Sequence, residues 1–221
     1  MSKVIELWRE IIPKEPGALA CNWMCLAEEE RSKACQYLFP EDQNRFVHCR
    51  AFLRRCIGKY RHIPPNQVSL QYHKNGKPYL ERFPLKFNLS HSQNYALFGF
   101  CFHCEIGVDI EYVRGIPNCE SLCRHYFSDS EMAFLESLPQ GNRSRHFLIL
   151  WTRKEALLKG IGIGIGEGEK YMKLINCLNE TTFQTILGSQ FVVESIDLND
   201  KNYVGAVAYK SDETIEMKWV Q

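Results

Sequence analysis

Gly107-Val108-Asp109-Ile110-Glu111 alternates apolar and acidic side chains, a pattern that belongs to a strand with one face buried. Successive side chains of an extended strand point to opposite faces, so Val108 and Ile110 enter a core while Asp109 and Glu111 share the other face. Two carboxylates on one small surface repel each other unless a proton or a cation lies between them. Hard oxygen ligands with open positions suit Mg2+ held jointly with a substrate's phosphates. The run from about Arg143 to Lys159 predicts a helix with Phe147, Leu150, Trp151, Leu157 and Leu158 on its apolar side. Glu155 on that helix offers a third carboxylate, and Lys159, four residues on, shares its face. Taken singly, each pair also reads as a solvated surface: a polar sheet face, or an exposed helix pair contributing roughly 0.2–0.5 kcal/mol.

Around these two elements the chain alternates helix with strands. A strand is expected at Val4 to Trp8, followed by helical pattern from Leu26 to Tyr60. There Phe46, Cys49, Phe52, Leu53, Cys56, Ile57 and Tyr60 recur at three- and four-residue intervals until Pro64-Pro65 ends the run. Short strands follow at Val68 to Tyr72 and Lys77 to Leu80 around an Asn75-Gly76 turn, then at Lys86 to Leu89, Tyr95 to Phe102 and Gly107 to Tyr112. The last two are joined by a turn, so this portion reads as helix plus antiparallel sheet. Val113 to Asn118 reads as a linker. Beyond it lie a short helix near Cys119 to His125, a capping box at Ser128-Asp129-Ser130-Glu131 that starts a helix to about Leu138, and the long helix, stopped by Gly160. The glycine-rich stretch Ile161 to Gly168 follows a helix end rather than joining a strand to a helix start, which argues against a nucleotide loop and for a flexible one. Strands are expected at Tyr171 to Ile175, Thr182 to Ile186, Gln190 to Ile196, Tyr203 to Tyr209 and Thr214 to Trp219. The order predicts an α+β fold of two similar halves, residues 1–112 and 113–221, each an antiparallel sheet packed with helices.

At 221 residues with 45% apolar and 24% charged side chains, the chain has the composition of a globular domain rather than a disordered one. A net charge of +1 supplies no global field for nucleic acid. The start of the chain lacks a basic segment followed by a long apolar run, and nowhere do about eighteen apolar residues follow one another, so neither secretion nor membrane insertion is expected. The ten cysteines then fit a reducing cytoplasm. Cys101-Phe102-His103-Cys104 has the spacing of a redox or zinc pair, but no second such pair completes a tetrahedral site, and buried free thiols are common.

Three further groups have anion-binding chemistry. In Asn88-Leu89-Ser90-His91-Ser92, Ser90 and His91 can donate hydrogen bonds to a phosphate, although the same residues also suit a turn that bonds its own backbone. Adjacent residues of an extended segment face opposite ways, which argues against a Ser-His nucleophilic pair. Lys77, fixed between Gly76 and Pro78, can reach an anion or simply face water. Arg31, Lys33, Arg45, Arg50 and Arg54 form a basic cluster on the first helical region, several of them in solvated positions.

Five segments in order, Gly-Lys-Pro at 76–78, Phe-Asn-Leu-Ser-His-Ser at 87–92, Gly-Val-Asp-Ile-Glu at 107–111, Arg-x-Tyr-Phe-Ser at 124–128 and Trp-Thr-Arg-Lys-Glu-Ala-x-x-Lys at 151–159, resemble the 4'-phosphopantetheinyl transferases of the Sfp type. The resemblance spans about residues 28 to 168. It implies a monomer of two pseudo-twofold halves with an active-site cleft between them, which binds coenzyme A. It also implies Mg2+-dependent transfer of phosphopantetheine to a serine of an apo acyl or peptidyl carrier protein, releasing adenosine 3',5'-bisphosphate. Position by position, Asp109, Glu111 and Glu155 correspond to the metal carboxylates. Chemically, Glu155, favoured, or a water on the metal can act as general base on the carrier serine, and Lys159 adds catalytic charge neutralisation. Lys33, Lys77, Ser90, His91, Lys154 and Lys159 correspond to CoA contacts. A non-catalytic module of the same fold that binds CoA or a carrier is the alternative, and a metal hydrolase acting on a phosphoanhydride is a third reading.

Overall fold

The computed structural model describes residues 3–13 and 19–220. The elements in order are β1 (Val4–Ile11), α1 (Leu19–Cys25), α2 (Glu28–Ala34), α3 (Pro40–Arg61), a 3-10 turn (Pro65–Gln67), β2 (Gln71–Tyr72), β3 (Pro78–Tyr79), β4 (Lys86–Ser92), β5 (Tyr95–Cys101), β6 (Ile106–Tyr112), α4 (Cys119–Tyr126), α5 (Asp129–Ser137), α6 (Gln140–Ile161), α7 (Ile165–Met172), β7 (Thr181–Ile186), β8 (Ser189–Ile196), β9 (Tyr203–Lys210) and β10 (Glu216–Trp219). They form two compact units. One comprises Glu10–Leu70 with Asn94–Ala96, and the other Met1–Arg9, Gln71–Gln93 and Leu97–Gln221.

In the smaller unit α3 buries Cys49, Phe52, Leu53, Cys56 and Ile57 of the stripe read from the sequence, leaves Phe46 and Tyr60 half-buried, and adds Val47 and Ala51, which cluster with Leu26 and Ala34. Pro40 opens the helix, where a missing amide costs nothing, and His62 closes it in the left-handed region (φ 54) just before Pro64-Pro65. The basic cluster is largely paired internally. Arg54, buried, donates to Glu30 at 2.5 Å and to the carbonyls of Pro65 and Val68, Arg50 lies 3.3 Å from Glu30, and Arg45 pairs with Asp42. Truncating either partner of the buried Arg54–Glu30 pair would strand a charge, so this network fixes how α2, α3 and the 3-10 turn meet.

The larger unit holds two four-stranded sheets, ordered β10-β1-β5-β4 and β6-β9-β8-β7, and the hairpin β2-β3. The second sheet is antiparallel throughout, with Asp109 opposite Ala206 and Glu111 opposite Val204. In the first, β1 runs parallel to β10, pairing Val4 to Leu7 with Glu216 to Trp219. The α+β class expected from the element order is therefore present, with antiparallel sheets packed with helices and β1 parallel to β10.

Strand β6 does not continue the sheet of β5, as the intervening turn suggested. It pairs with β9, and its other edge is taken by side chains of β4. Asn88 Oδ1 accepts from the Val108 amide at 2.9 Å and Ser92 Oγ from the Tyr112 amide at 3.0 Å. These partners advance together along both strands, so β4 and β6 lie side by side in the same direction, bridged by side chains instead of a backbone ladder. Buried amides need acceptors, and alternating Asn and Ser supply them.

Helix α6 packs on β6 and β9, with Leu148, Leu150, Leu157 and Leu158 almost wholly out of water. Each contributes about 1.5–3 kcal/mol. Gly160 does not stop this helix. It lies within α6, where the chain approaches Gly107, and the helix ends instead at Gly162, in the left-handed region (φ 84), whose amide donates to Leu158 O at 3.0 Å. The flexible loop and the strand expected over residues 161–175 are replaced by α7. Glycines are poor helix formers, but Gly168 lies so close to α6 that a Cβ there would meet Leu158 Cδ1 at 2.6 Å, and packing overrides propensity. The capping box at α5 forms as expected: the Ser128 amide donates to Glu131 at 2.9 Å and the Glu131 amide to Ser128 Oγ at 3.4 Å. Among the described residues no helix is long and apolar enough to cross a membrane.

At the β6–α6 contact a Cβ on Gly107 would meet Ala156 O at 2.1 Å and Gly160 N at 2.2 Å, both immobile backbone atoms. Gly107→Ala is expected to lower unfolding free energy by about 3 kcal/mol or more, read as a shift in the urea midpoint. An unchanged midpoint would show that the two backbones are not in contact.

Candidate active site

Asp109, from the middle of β6, has a side chain only 6% exposed. Its Oδ1 accepts from Ser90 Oγ on β4 at 2.7 Å and from Lys159 Nζ on α6 at 2.6 Å, and Lys159 also donates to Ser90 Oγ at 3.0 Å. Strand, neighbouring strand and helix thus meet at one carboxylate oxygen. The other oxygen, Oδ2, is buried without a hydrogen-bond partner, and so is Oε1 of Glu155, which is itself 4% exposed on α6. Glu111, two residues along β6, is more open, its Oε2 accepting from Ser92 Oγ and from Arg114, both at 2.9 Å.

Two buried acids with orphaned oxygens in one neighbourhood are costly to ionise. Burial pushes Asp109 above the usual carboxylate range against the opposing pull of Lys159. Burial, with the charges of Asp109 and Glu111 behind it and Lys159 opposing, pushes Glu155 up to about 7. A carboxyl poised near neutrality beside a cation is suited to exchanging a proton, or to taking a hard cation in place of one. The unsatisfied Asp109 Oδ2 and Glu155 Oε1 are oxygens of the type a hard cation such as Mg2+ takes. As the side chains stand, Lys159 occupies Asp109 Oδ1, and among the described residues no three His, Cys, Asp or Glu side chains are drawn into a metal-ligating cluster.

Comparison with known proteins gives the family. Residues 105–208 match the 4'-phosphopantetheinyl transferase superfamily, and residues 13–100 match the family described as 4'-phosphopantetheinyl transferase, N-terminal. The 4'-phosphopantetheinyl transferase HetI of Nostoc sp. is 38% identical over 174 residues, covering 77% of this chain and 73% of that protein. A putative 4'-phosphopantetheinyl transferase of Synechocystis sp. is 33% identical over 206 residues, covering 87% and 82%. The chain belongs to the 4'-phosphopantetheinyl transferase superfamily. A third relative, 4'-phosphopantetheinyl transferase psf-1 of Bacillus pumilus, is 31% identical over 141 residues, 63% of this chain and 59% of its own. Among solved structures, the holo-[acyl-carrier-protein] synthase of Thermotoga maritima aligns over 49% of this chain and 64% of its own with a TM-score of 0.32 and 15% identity, too slight a likeness to argue from.

Within this transferase the residues singled out from the sequence fall into three groups. Asp109, Glu155, Lys159 and Ser90 come together, with Glu111 beside them, and His91 is exposed on β4 next to Ser90. Lys77 is drawn elsewhere: its Nζ donates to Lys159 O at 2.7 Å, Ile106 O at 3.1 Å and Gly160 O at 3.4 Å, and burial pulls it down to about 8. Lys33 lies in the other unit, exposed on α2 with its Nζ 5.5 Å from the ring centre of Phe46. Lys154 departs from its expected CoA contact. It is fully buried, pairs with Glu131 at 2.8 Å and donates to Met172 O at 2.6 Å and to Ile175 O, so it ties α6 to the end of α7 and to α5 and has no surface left for a ligand.

Glu131 was legible only as a cap residue. Its carboxylate also accepts from the Cys177 amide at 3.0 Å, which makes it the buried counter-charge of Lys154. The role of Asn88 and Ser92 in holding β6 had a visible signal, the Asn-x-Ser-x-Ser alternation, but the strand they hold is distant in sequence.

Because Glu155 holds its proton more tightly folded than unfolded, stability falls as pH rises from the unfolded value through about 7. Glu155→Gln, which cannot ionise, is expected to be more stable than the parent at pH 8 by about 1–3 kcal/mol, the gain vanishing by about pH 4.5. Denaturant unfolding at both pH values measures it, and a variant less stable than the parent at pH 8 would contradict the electrostatic reading.

Proposed function

We propose that this protein transfers the 4'-phosphopantetheine arm of CoA to a serine hydroxyl of an apo acyl or peptidyl carrier protein, releasing adenosine 3',5'-bisphosphate, with Mg2+ as cofactor. The observation that carries this reading is the pair of buried, unpartnered carboxylate oxygens on Asp109 and Glu155 flanked by Lys159, in a chain of this family. Asp109, Glu111 and Glu155 would hold the ion, which supplies neutralisation of the CoA diphosphate. Lys159 adds positive charge where the bisphosphate leaves, and His91, with the Ser90 hydroxyl once it turns from Asp109, offers donors to its oxygens. Glu155 is the general base for the incoming serine hydroxyl, whose own pKa is too high for unaided attack. Holding the two substrates in line supplies much of the remaining acceleration.

A groove lined by Ile116, Cys123, Met132 and Leu135, with Arg124 and Arg143 set beside Glu120 and Glu136, offers an apolar surface for docking the carrier. Arg114 is engaged with Glu111 at 2.9 Å and would carry that contact toward the site. The ten free thiols support a reducing cytoplasm as the place of action, and the enzyme is taken to work as a monomer.

Incubation with CoA, Mg2+ and apo carrier, followed by intact mass of the carrier, tests the reaction. The carrier is expected to gain one phosphopantetheine, EDTA to stop the gain, and Asp109→Ala to reduce the rate by at least about 10³-fold, comparable to other losses of transition-state charge stabilisation. Binding of CoA without mass gain would favour the non-catalytic module, and loss of phosphate from CoA without a carrier would favour a hydrolase.

A further inference from the structure

The turn Cys101-Phe102-His103-Cys104, between β5 and β6, takes no part in the site above. Cys101 ends β5 and is buried, Cys104 is partly exposed, and Phe102 and His103 between them face solvent. The turn folds the two sulfurs to 3.4 Å, and the His103 amide donates to Cys101 Sγ, also at 3.4 Å. A thiolate on Cys101 therefore has two donors, one thiol and one amide. These hydrogen bonds pull Cys101 down to about 6 while Cys104 is pushed up, so at neutral pH the pair holds a single proton between two sulfurs. The other adjacent pair, Cys119 and Cys123, differs on each count. It sits on helix α4 with 3.9 Å between sulfurs, and burial pushes Cys123 up to about 12, which leaves it a thiol.

We propose that Cys101 and Cys104 form a redox-active dithiol that exchanges with small-molecule disulfides and closes reversibly to an intrachain disulfide. Cys104, the accessible member, meets the external disulfide. As its sulfur bonds to one sulfur of that molecule, its proton passes across the 3.4 Å contact to the Cys101 thiolate, the external S–S bond breaks, and one small thiolate leaves. Cys101 then gives that proton to solvent and attacks the Cys104 sulfur, forming the intrachain bond and expelling the second thiolate. Two protein thiols are oxidised and one disulfide is reduced to two thiols. The sulfurs need to close only from 3.4 Å to about 2.05 Å, across a solvent-facing turn.

The full-length chain is equilibrated with reduced and oxidised glutathione at graded ratios, quenched with iodoacetamide and digested with trypsin. Cys101 and Cys104 fall together in the peptide 87–114, and Cys119 and Cys123 in 115–124, so each pair reads separately. The peptide 87–114 is expected to become unalkylated and two hydrogens lighter than its dithiol, and to revert with dithiothreitol, at ratios that leave 115–124 reduced. Cys101→Ser is expected to trap glutathione on Cys104, and Cys104→Ser to slow the reaction of the remaining thiol at least tenfold. Alkylation of both thiols of 87–114 at every ratio, equal oxidation of the two peptides, or Cys101→Ser without an adduct would each overturn the proposal.

Discussion

A strand and a helix meet here backbone to backbone. Gly107 on β6 lies against Ala156 O and Gly160 N of α6, closer than any side chain would allow, and the two elements are thereby locked in register. Asp109 is two residues from that contact on one side, and Glu155 and Lys159 adjoin it on the other, so the positions of all three follow from one glycine's close approach. Lys77 seals the same seam with donors to Ile106 O, Lys159 O and Gly160 O, the last two being helix-end carbonyls that a cation stabilises. Its ammonium serves as mortar between β6 and α6.

The seam brings together charges that would not choose each other's company. Asp109 and Glu155 both have their acidity weakened by burial, and Lys159 relieves only part of the cost. Ser90 and Ser92 contribute hydrogen bonds while Asn88 and Ser92 hold the strand edge, which lets the polar face of β6 remain shielded without being fully satisfied. Incomplete satisfaction of buried acids is expensive in a purely structural site, and groups with such perturbed acidity cluster at functional ones.

Local chemistry was legible in the sequence where one element sufficed to express it. The alternation at 107–111, the helix bearing Glu155 and Lys159, the stripe of α3 and the cap of α5 all appear where their residues put them. What the sequence concealed was which neighbours each element chooses. The partners of β6 are β9 and the side chains of β4, and β1 joins β10 from the far end of the chain; strand pairing over such separations leaves no periodic trace. Gly160 read as a stop because a glycine at a helix end and a glycine at a close approach look alike in one dimension. Lys154, adjacent to Glu155, reads as part of the same motif, yet one step of about 100° around α6 carries it from the site into the core.

The central claim, that Asp109 and Glu155 converge on a cation shared with CoA, is tested most directly by a crystal structure of the complex with CoA and Mn2+ in place of Mg2+, read by anomalous scattering from the metal. A single anomalous peak within coordinating distance of Asp109 Oδ2 and a Glu155 oxygen, and of the CoA diphosphate, is the expected result. A peak held by other residues, with those two carboxylates still facing each other unliganded beneath bound CoA, would contradict it.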